Sequence, residues 1–250
     1  MSVIYEPKGR AREYSALATN IYRGCTHGCR YCYAPDCLFT SRGAFAQVYL
    51  RPGYLAKLEA DAQKLGPQPE GARVLLCFTC DPYPAGVDTT ITRETIKILH
   101  KYGLKVQILT KGGLRSCRDF DLLGEGDAYA ATLTLNDHEQ LSYQEPNAAP
   151  VLDRINALRQ ASLMGIETWA SMEPVLDPAQ TLELIAMSAS YVDLFKVGKL
   201  NNQKTMPGDL KELARSINWA KFGADAVALL EKLGKRYYIK QDLRDCMKGA

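Results

Sequence analysis

At 250 residues the chain is long enough to bury a sizeable core and falls within the range of one α/β barrel. Its 46% hydrophobic and 24% charged residues describe an ordinary globular protein, and no run of 18 apolar residues marks a membrane span. A net charge of +3 is too mild to call for a nucleic-acid partner by itself.

The first twelve residues mix Glu6, Lys8, Arg10 and Arg12 with no apolar stretch, so no signal peptide is expected and a cytoplasmic location follows as the default. Beyond them, apolar runs of strand length alternate with amphipathic segments of helix length. The pattern predicts strands over Leu17–Tyr22, Val74–Phe78, Lys105–Thr110, Tyr129–Leu135, Glu167–Met172 and Val192–Val197. Between them it predicts helices over Tyr54–Leu65, Arg93–Tyr102, Arg118–Leu123, Ala149–Met164 and Ala179–Ser188. Gly103 and Gly165 stand where a left-handed helix cap is expected. The tail, Asp209 to Lys240, adds one or two helices and a short strand, Tyr237–Lys240.

Strict alternation of strand and helix implies parallel strands joined by right-handed crossovers. Six such units make an α/β fold, a partial (β/α)6 TIM barrel with a helical C-terminal extension. The expected division is a core over residues 1–200 and an extension over 201–250 packed on it. In a barrel of this kind the site lies at the carboxyl ends of the strands. Cys25, the run Thr79-Cys80-Asp81, Thr110-Lys111, Thr134-Leu135-Asn136 and Glu173-Pro174 each follow a predicted strand, so the polar chemistry converges on one rim. The basic residues of the tail, among them Lys196, Lys199, Lys204, Lys235 and Lys240, read as solvated helix faces. A basic rim over a phosphate-bearing substrate is the second reading.

Eight cysteines do not distribute as a disulfide set. Cys25, Cys29, Cys32 and Cys37 crowd into thirteen residues, and the others lie apart at Cys77, Cys80, Cys117 and Cys246, which points to metal or redox chemistry. Arg23 to Tyr33 contain C-x3-C-x2-C. Thiolates are the usual ligands of iron–sulfur clusters, and three of them on a short loop leave the fourth iron of a cubane open to a reactant. A structural zinc site would need a fourth ligand, His27 or Cys37, and lacks the usual second knuckle or histidine pair. A simple electron-transfer module would need Cys37 as its fourth thiolate.

The resemblance is carried by Tyr5-Glu6-Pro7-Lys8-Gly9-Arg10-Ala11 and by Asn20-Ile21-Tyr22-Arg23-Gly24-Cys25 through Tyr33-Ala34-Pro35. It continues in Thr79-Cys80-Asp81-Pro82-Tyr83, Thr92-Arg93, Leu109-Thr110-Lys111, Arg118-Asp119, Glu145-Pro146 and Arg154. In these motifs the chain resembles the radical S-adenosylmethionine (SAM) superfamily, in its spore photoproduct lyase-like branch. That resemblance implies a barrel of the radical SAM type, a [4Fe–4S] cluster held by Cys25, Cys29 and Cys32, and SAM as cofactor. It also implies reductive cleavage of SAM to a 5′-deoxyadenosyl radical, and an electron donor such as flavodoxin or ferredoxin.

By position, Lys111 and Thr134 match residues that contact SAM in the family, and Tyr31 and Tyr33 flank Cys32 where family aromatics lie against it. Thr79, Asp81 and Glu173 complete the expected cofactor-binding set. Lys111 also reads as a loop lysine, Tyr31 as packing, Asp81 as a turn cap and Glu173 as a surface carboxylate.

The lyase carries its hydrogen-donating cysteine three residues before the aspartate matching Asp81, where this chain has Phe78. Strand alternation would point Cys77 and Cys80 to different sides, with Cys80, past the strand end, as the candidate catalytic thiol and Cys77 as a buried structural one. Asn201, Asn202 and Trp219 are further candidates for the substrate side, with turn and packing roles as their alternatives. The expected substrate is a small molecule, a nucleobase or nucleoside derivative cleaved in a lyase-type reaction like that on queuosine. DNA repair or nucleic-acid modification is the second reading, and a non-enzymatic iron–sulfur or zinc module the third.

Overall fold

The computed structural model describes residues 2–201 and 206–248. Strand β1 (Ile4–Tyr5) precedes a 3-10 turn at Gly9–Glu13, then come β2 (Leu17–Thr19) and β3 (Tyr22–Arg23). Two short helices, α1 (Ala34–Cys37) and α2 (Arg42–Phe45), lead to β4 (Tyr49–Leu50), which pairs antiparallel with β3. The repeating units follow: α3 (Tyr54–Leu65), β5 (Arg73–Leu76), α4 (Thr90–Lys101), β6 (Lys105–Thr110), β7 (Ala128–Thr132), α5 (His138–Gln144), α6 (Val151–Leu163), β8 (Glu167–Val175), α7 (Pro178–Ser188) and β9 (Leu194–Lys199). The tail supplies α8 (Gly208–Ser216), α9 (Trp219–Lys232), β10 (Arg236–Ile239) and α10 (Gln241–Lys248).

The main sheet runs β1-β2-β5-β6-β7-β8-β9-β10, parallel throughout except where β1 meets β2. Its six central strands, β2 and β5 to β9, are those expected from the apolar runs. The sheet does not close on itself, as a partial barrel requires. Among the described residues no helix is long and apolar enough to cross a membrane.

Period-two alternation sorts the side chains onto two faces. Val74, Leu76, Val106, Ile108, Tyr129, Ala170, Met172, Phe195 and Val197 pack outward into the core shared with the helices. Ala18, Leu75, Ala128, Ala130 and Trp169 form the inner core, packed against Tyr5, Tyr14, Phe78, Leu109 and Leu194. The small alanines leave the volume that Trp169 and Tyr14 fill, their rings 5.7 Å apart.

Lys196 holds the N-terminal segment there, donating to the carbonyls of Glu13 (3.1 Å) and Tyr14 (3.0 Å), while Gln107 donates to the Tyr14 carbonyl (3.0 Å). Burial, with Lys240 beside it, pulls the Lys196 ammonium down to about 8.

Two local expectations are corrected. In place of an α-helix over Arg118–Leu123 the chain forms a 3-10 segment, Gly113–Leu122, and is extended again at Leu123. Its turns are held by side chains: Ser116 donates to the Gly113 carbonyl, and Asp119 accepts from Tyr83 (3.0 Å) and Arg118 (2.9 Å). The run Leu17–Tyr22 is not one strand either. It breaks at Asn20, whose amide donates to Tyr5 Oη (2.8 Å) and whose Oδ1 turns to the end of β5.

Candidate cofactor site

The cysteine loop leaves β3 through Gly24, which takes φ +94°. A Cβ there would stand 2.0 Å from the Gln47 carbonyl and 2.7 Å from that of Phe45, so no larger residue fits without moving the backbone. The Cys25 N–H donates to the Phe45 carbonyl (2.8 Å), and Arg42 donates to the carbonyls of Cys29 (3.1 Å) and Cys32 (3.2 Å). On the other side the Arg30 N–H donates to the Gln144 carbonyl (2.9 Å), and Asn147 binds the carbonyls of Thr26 and His27. Helix α2 and the α5–α6 connection therefore clamp the loop between them.

Cys25, Cys29 and Cys32 face one cavity of about 530 Å³, the size class of small-molecule sites. Tyr31, Tyr33, Thr79, Cys80, Asp81, Lys111 and Glu173 line the same cavity. Burial pushes the Cys29 thiol up to about 12 and raises Cys25 well above the ordinary value, Asp81 adding to the effect. Cys32 moves the same way for the same first cause. At neutral pH all three are protonated until a metal displaces the proton. Among the described residues no three His, Cys, Asp or Glu side chains converge on a point that would hold a single metal ion. Three thiols on one loop suit a cubane, which takes one thiolate per iron, whereas a tetrahedral zinc site would need a fourth ligand.

Asp81 is the best-anchored of the polar groups. It accepts from Thr110 Oγ1 (2.6 Å) and from the backbone N–H groups of Tyr83 (2.8 Å) and Lys111 (2.9 Å), and His27 Nδ1 lies 3.5 Å away. It caps the turn after β5 and also faces the cavity, so both sequence readings have a geometric basis. His27, held neutral by burial, is a neighbour of Asp81 rather than a ligand.

The Lys111 Nζ stands 5.5 Å from the centre of the Tyr31 ring. Burial works against its charge, but Cys29 and Glu145 outweigh that and raise its pKa. The Tyr33 hydroxyl donates to the Phe78 carbonyl (2.8 Å), bracing the ring at the cavity wall. Thr79 Oγ1 is a buried hydroxyl with no partner among the described residues, and its residue lines the cavity, so a ligand has a polar atom to meet there.

Thr134 departs from expectation. It does not line the cavity; it is fully buried, and its hydroxyl donates to Glu145 (2.7 Å). Glu145 also accepts from Tyr31 Oη and from Arg154, whose guanidinium further binds the carbonyls of Ala149 (2.8 Å) and Thr132 (3.0 Å). Burial opposes the Glu145 charge, but Arg154 and Lys111 overcome it and hold the carboxyl down to about 2. Thr134 thus belongs to the buried network under Tyr31.

Glu173 is no surface carboxylate. It accepts from Lys240 Nζ (2.6 Å), from Tyr14 Oη, and from Asn201 Nδ2 (3.3 Å). Tyr14, Ser171, Asn201 and Lys240 all reach the cavity. Tyr14 carries no sequence signal for this role, and Lys240 reads as one more basic tail residue. Ser171 could have been found: it lies two residues before Glu173 on β8 and so shares its face. Asn202 and Lys204 lie outside the described residues. Trp219 does not line the cavity; it donates to the Ala214 carbonyl (2.8 Å) and packs on Phe222.

The expected divergence of Cys77 and Cys80 is also corrected. Both line the cavity, and Cys80 adds to the burial that pushes the Cys77 thiol well above its ordinary value. Asn20 Oδ1 accepts from the N–H groups of both Phe78 and Thr79 (2.8 Å each), which curls the chain beyond β5 and ends the alternation.

No family model matches the chain. An uncharacterized protein of Acidianus two-tailed virus is 27% identical over 255 residues, covering 93% of this chain and 81% of its own. An uncharacterized protein of Methanocaldococcus jannaschii is 28% identical over 170 residues, covering 66% of this chain and 62% of its own. Among solved structures, a point mutant of spore photoproduct lyase superposes with a TM-score of 0.72 at 15% identity, over 94% of this chain and 78% of the lyase. SuiB of Streptococcus suis, solved with SAM bound, superposes with a TM-score of 0.66 at 11% identity, over 89% of this chain and 49% of SuiB. A radical SAM methyltransferase from Sphaerobacter thermophilus follows at 0.58 and 14%, over 89% of this chain and 65% of the methyltransferase.

Proposed function

We propose, on the fold that this chain shares with spore photoproduct lyase and other radical SAM proteins, that it is a radical SAM enzyme. In this reading Cys25, Cys29 and Cys32 hold a [4Fe–4S] cluster and SAM binds beside it in the same cavity. When bound, these groups supply an electron that breaks the sulfonium S–C bond of SAM and yields a 5′-deoxyadenosyl radical able to take hydrogen from a substrate. The observation that carries the reading is that the three thiols of one short loop open onto a single cofactor-sized cavity at the carboxyl ends of the strands.

The chain's own residues have definable parts. Lys111 brings a buried positive charge to the thiol side of the cavity and suits the carboxylate of SAM. Asp81 holds the ends of β5 and β6 together and presents an anionic edge to an ammonium group. Thr79 offers a free hydroxyl, and Tyr33 a braced aromatic face on which adenine can stack. Tyr31 acts as a positioning residue, fixed by Glu145 beneath it. Glu173, with Lys240 and Tyr14 locking its orientation, can accept from ribose hydroxyls. Thr134, through its bond to Glu145, supports the buried network that fixes Tyr31.

Cys80 is the thiol best placed to give up hydrogen to a radical, and Cys77 beside it is a second exchangeable thiol. The substrate class proposed is a small nucleobase or nucleoside derivative, in a lyase-type reaction, since the cavity is of small-molecule size. The test is anaerobic reconstitution followed by a screen of nucleosides and modified bases for substrate-dependent 5′-deoxyadenosine. A protein that takes up zinc in place of iron, or binds iron without the electron paramagnetic resonance of a reduced cubane, would overturn it.

A further inference from the structure

The segment after β5 reads Cys77-Phe78-Thr79-Cys80, a C-x-x-C pair separate from the cysteine loop. Both residues are free cysteines, and both line the cavity. In an extended chain the two ends of such a run stand about 10 Å apart and point to opposite sides. A disulfide needs Cα atoms roughly 4.4–6.8 Å apart.

This run is not extended. The chain bends at Phe78, Thr79 and Cys80, and Asn20 Oδ1 fastens the bend by accepting from the N–H groups of Phe78 and Thr79 (2.8 Å each). Cys77 belongs to the main apolar core, and Cys80 packs against that same core. Burial raises the hydroxyls of Tyr5, Tyr22 and Tyr54, and Cys77 and Cys80 both add to the rise at each of the three. Two sulfurs that act on the same three hydroxyls lie near each other. Their access differs: Cys77 is 5% exposed and Cys80 half-buried, so a reagent entering the cavity reaches Cys80 first.

We propose that Cys77 and Cys80 are a redox couple that closes reversibly into a disulfide in the cavity wall, with a small aliphatic disulfide as the oxidant. Cys80, as its thiolate, attacks one sulfur of the oxidant and expels one thiolate, leaving a mixed disulfide. Cys77 then gives up its proton and displaces the second thiolate from Cys80. The two protons of the pair pass to the two departing thiolates, so the oxidant leaves as two thiols while the pair loses two electrons. Closure draws only on the chain's own sulfurs and the oxidant, so the couple stands apart from the radical SAM reading. Within that reading it has a consequence. Only the dithiol form can give hydrogen to a radical, and closure withdraws Cys80 from that part.

The test is anaerobic equilibration of the reduced protein in cysteamine–cystamine buffers of rising oxidised fraction, followed by acid quench, alkylation and tryptic mapping. Val74–Arg93 is one tryptic peptide and contains these two cysteines and no other. Its doubly alkylated form is expected to give way to an unalkylated form two hydrogens lighter than the dithiol, and dithiothreitol is expected to reverse the change. In Cys77→Ser the remaining Cys80 stops at the mixed disulfide with cysteamine, and in Cys80→Ser the remaining Cys77 stays open to alkylation. Asn20→Ala unfastens the bend and is expected to lower the equilibrium constant for closure about tenfold or more, about 30 mV for a two-electron couple. Both cysteines still alkylated in the most oxidising buffer would overturn the proposal, as would Cys80 joined to Cys25, Cys29 or Cys32 instead. So would a closure constant no greater in the folded protein than in urea, since the fold would then do nothing to bring the pair together. If the radical SAM reading fails instead, the peptide still closes while no cluster and no 5′-deoxyadenosine form, and the two failures are told apart.

Discussion

Cys25, Cys29 and Cys32 are legible in the sequence because ligand spacing on one loop is a local property that folding cannot rearrange. Replacing any of the three by alanine is expected to lower the iron content of the reconstituted protein and abolish the cluster's visible absorption, with far-ultraviolet circular dichroism unchanged. Cys80→Ala is expected to keep full iron, and a loss of iron there would make Cys80 a ligand. The Thr134 hydroxyl, which donates to Glu145, is illegible for the opposite reason: the end of a strand is readable in the sequence, but whether its last hydroxyl faces the cavity or a buried acid is not. That acid yields its own prediction. Glu145→Ala leaves Arg154 buried without its partner, a change that costs about 3–5 kcal/mol in comparable sites, read as a lower urea midpoint. The Glu145 carboxyl is lowered from 4.5 to about 2, so its stabilisation is complete above pH 4.5 and is lost as pH falls toward 2. The wild type is therefore expected to lose stability across that window more steeply than Glu145→Gln, compared by urea titration at each pH.

At the scale of elements, the six central strands follow from apolar runs and their breaks, and the caps from glycine: Gly103 and Gly165 take φ +73° and +75° after α4 and α6. Short pieces escape this reading, because β3, β4, α1 and α2 are too brief to show a period and are held by contacts with the cysteine loop. Gly24 is the hinge of that arrangement. Gly24→Ala is expected to prevent cluster uptake, measured as iron per chain, while the thermal unfolding of the barrel shifts little. Normal uptake would show that the α2 segment can move aside from the loop. The tail is likewise more than an extension of helices: β10 places Lys240 against Glu173 on the inner face. Lys240→Met removes the cation from a partner that is mostly buried, and is expected to loosen the N-terminal segment that packs on it. Limited proteolysis near Arg10 and Arg12 should then be faster than in the wild type.

For the whole molecule, burial raises the three thiols above their ordinary value and outweighs the positive charge that Lys111 brings to Cys29 and Cys32, so they stay protonated. Loading a cluster must therefore release protons, and iron uptake at fixed sulfide is expected to strengthen from about pH 7 to 9. A pH-independent uptake, followed by iron content and by proton release into weak buffer, would count against buried thiols as the ligands. Alone, the sequence determined the six central strands, their parallel arrangement and the spacing of three cysteines on one loop, since each depends on residues near one another in the chain. Tertiary structure alone decided that Cys77 and Cys80 meet, that Thr134 faces away, and that Tyr14, Ser171 and Lys240 enclose Glu173. Those outcomes depend on which way a side chain turns at a strand end and on what distant segment arrives beside it, and no local pattern carries that information.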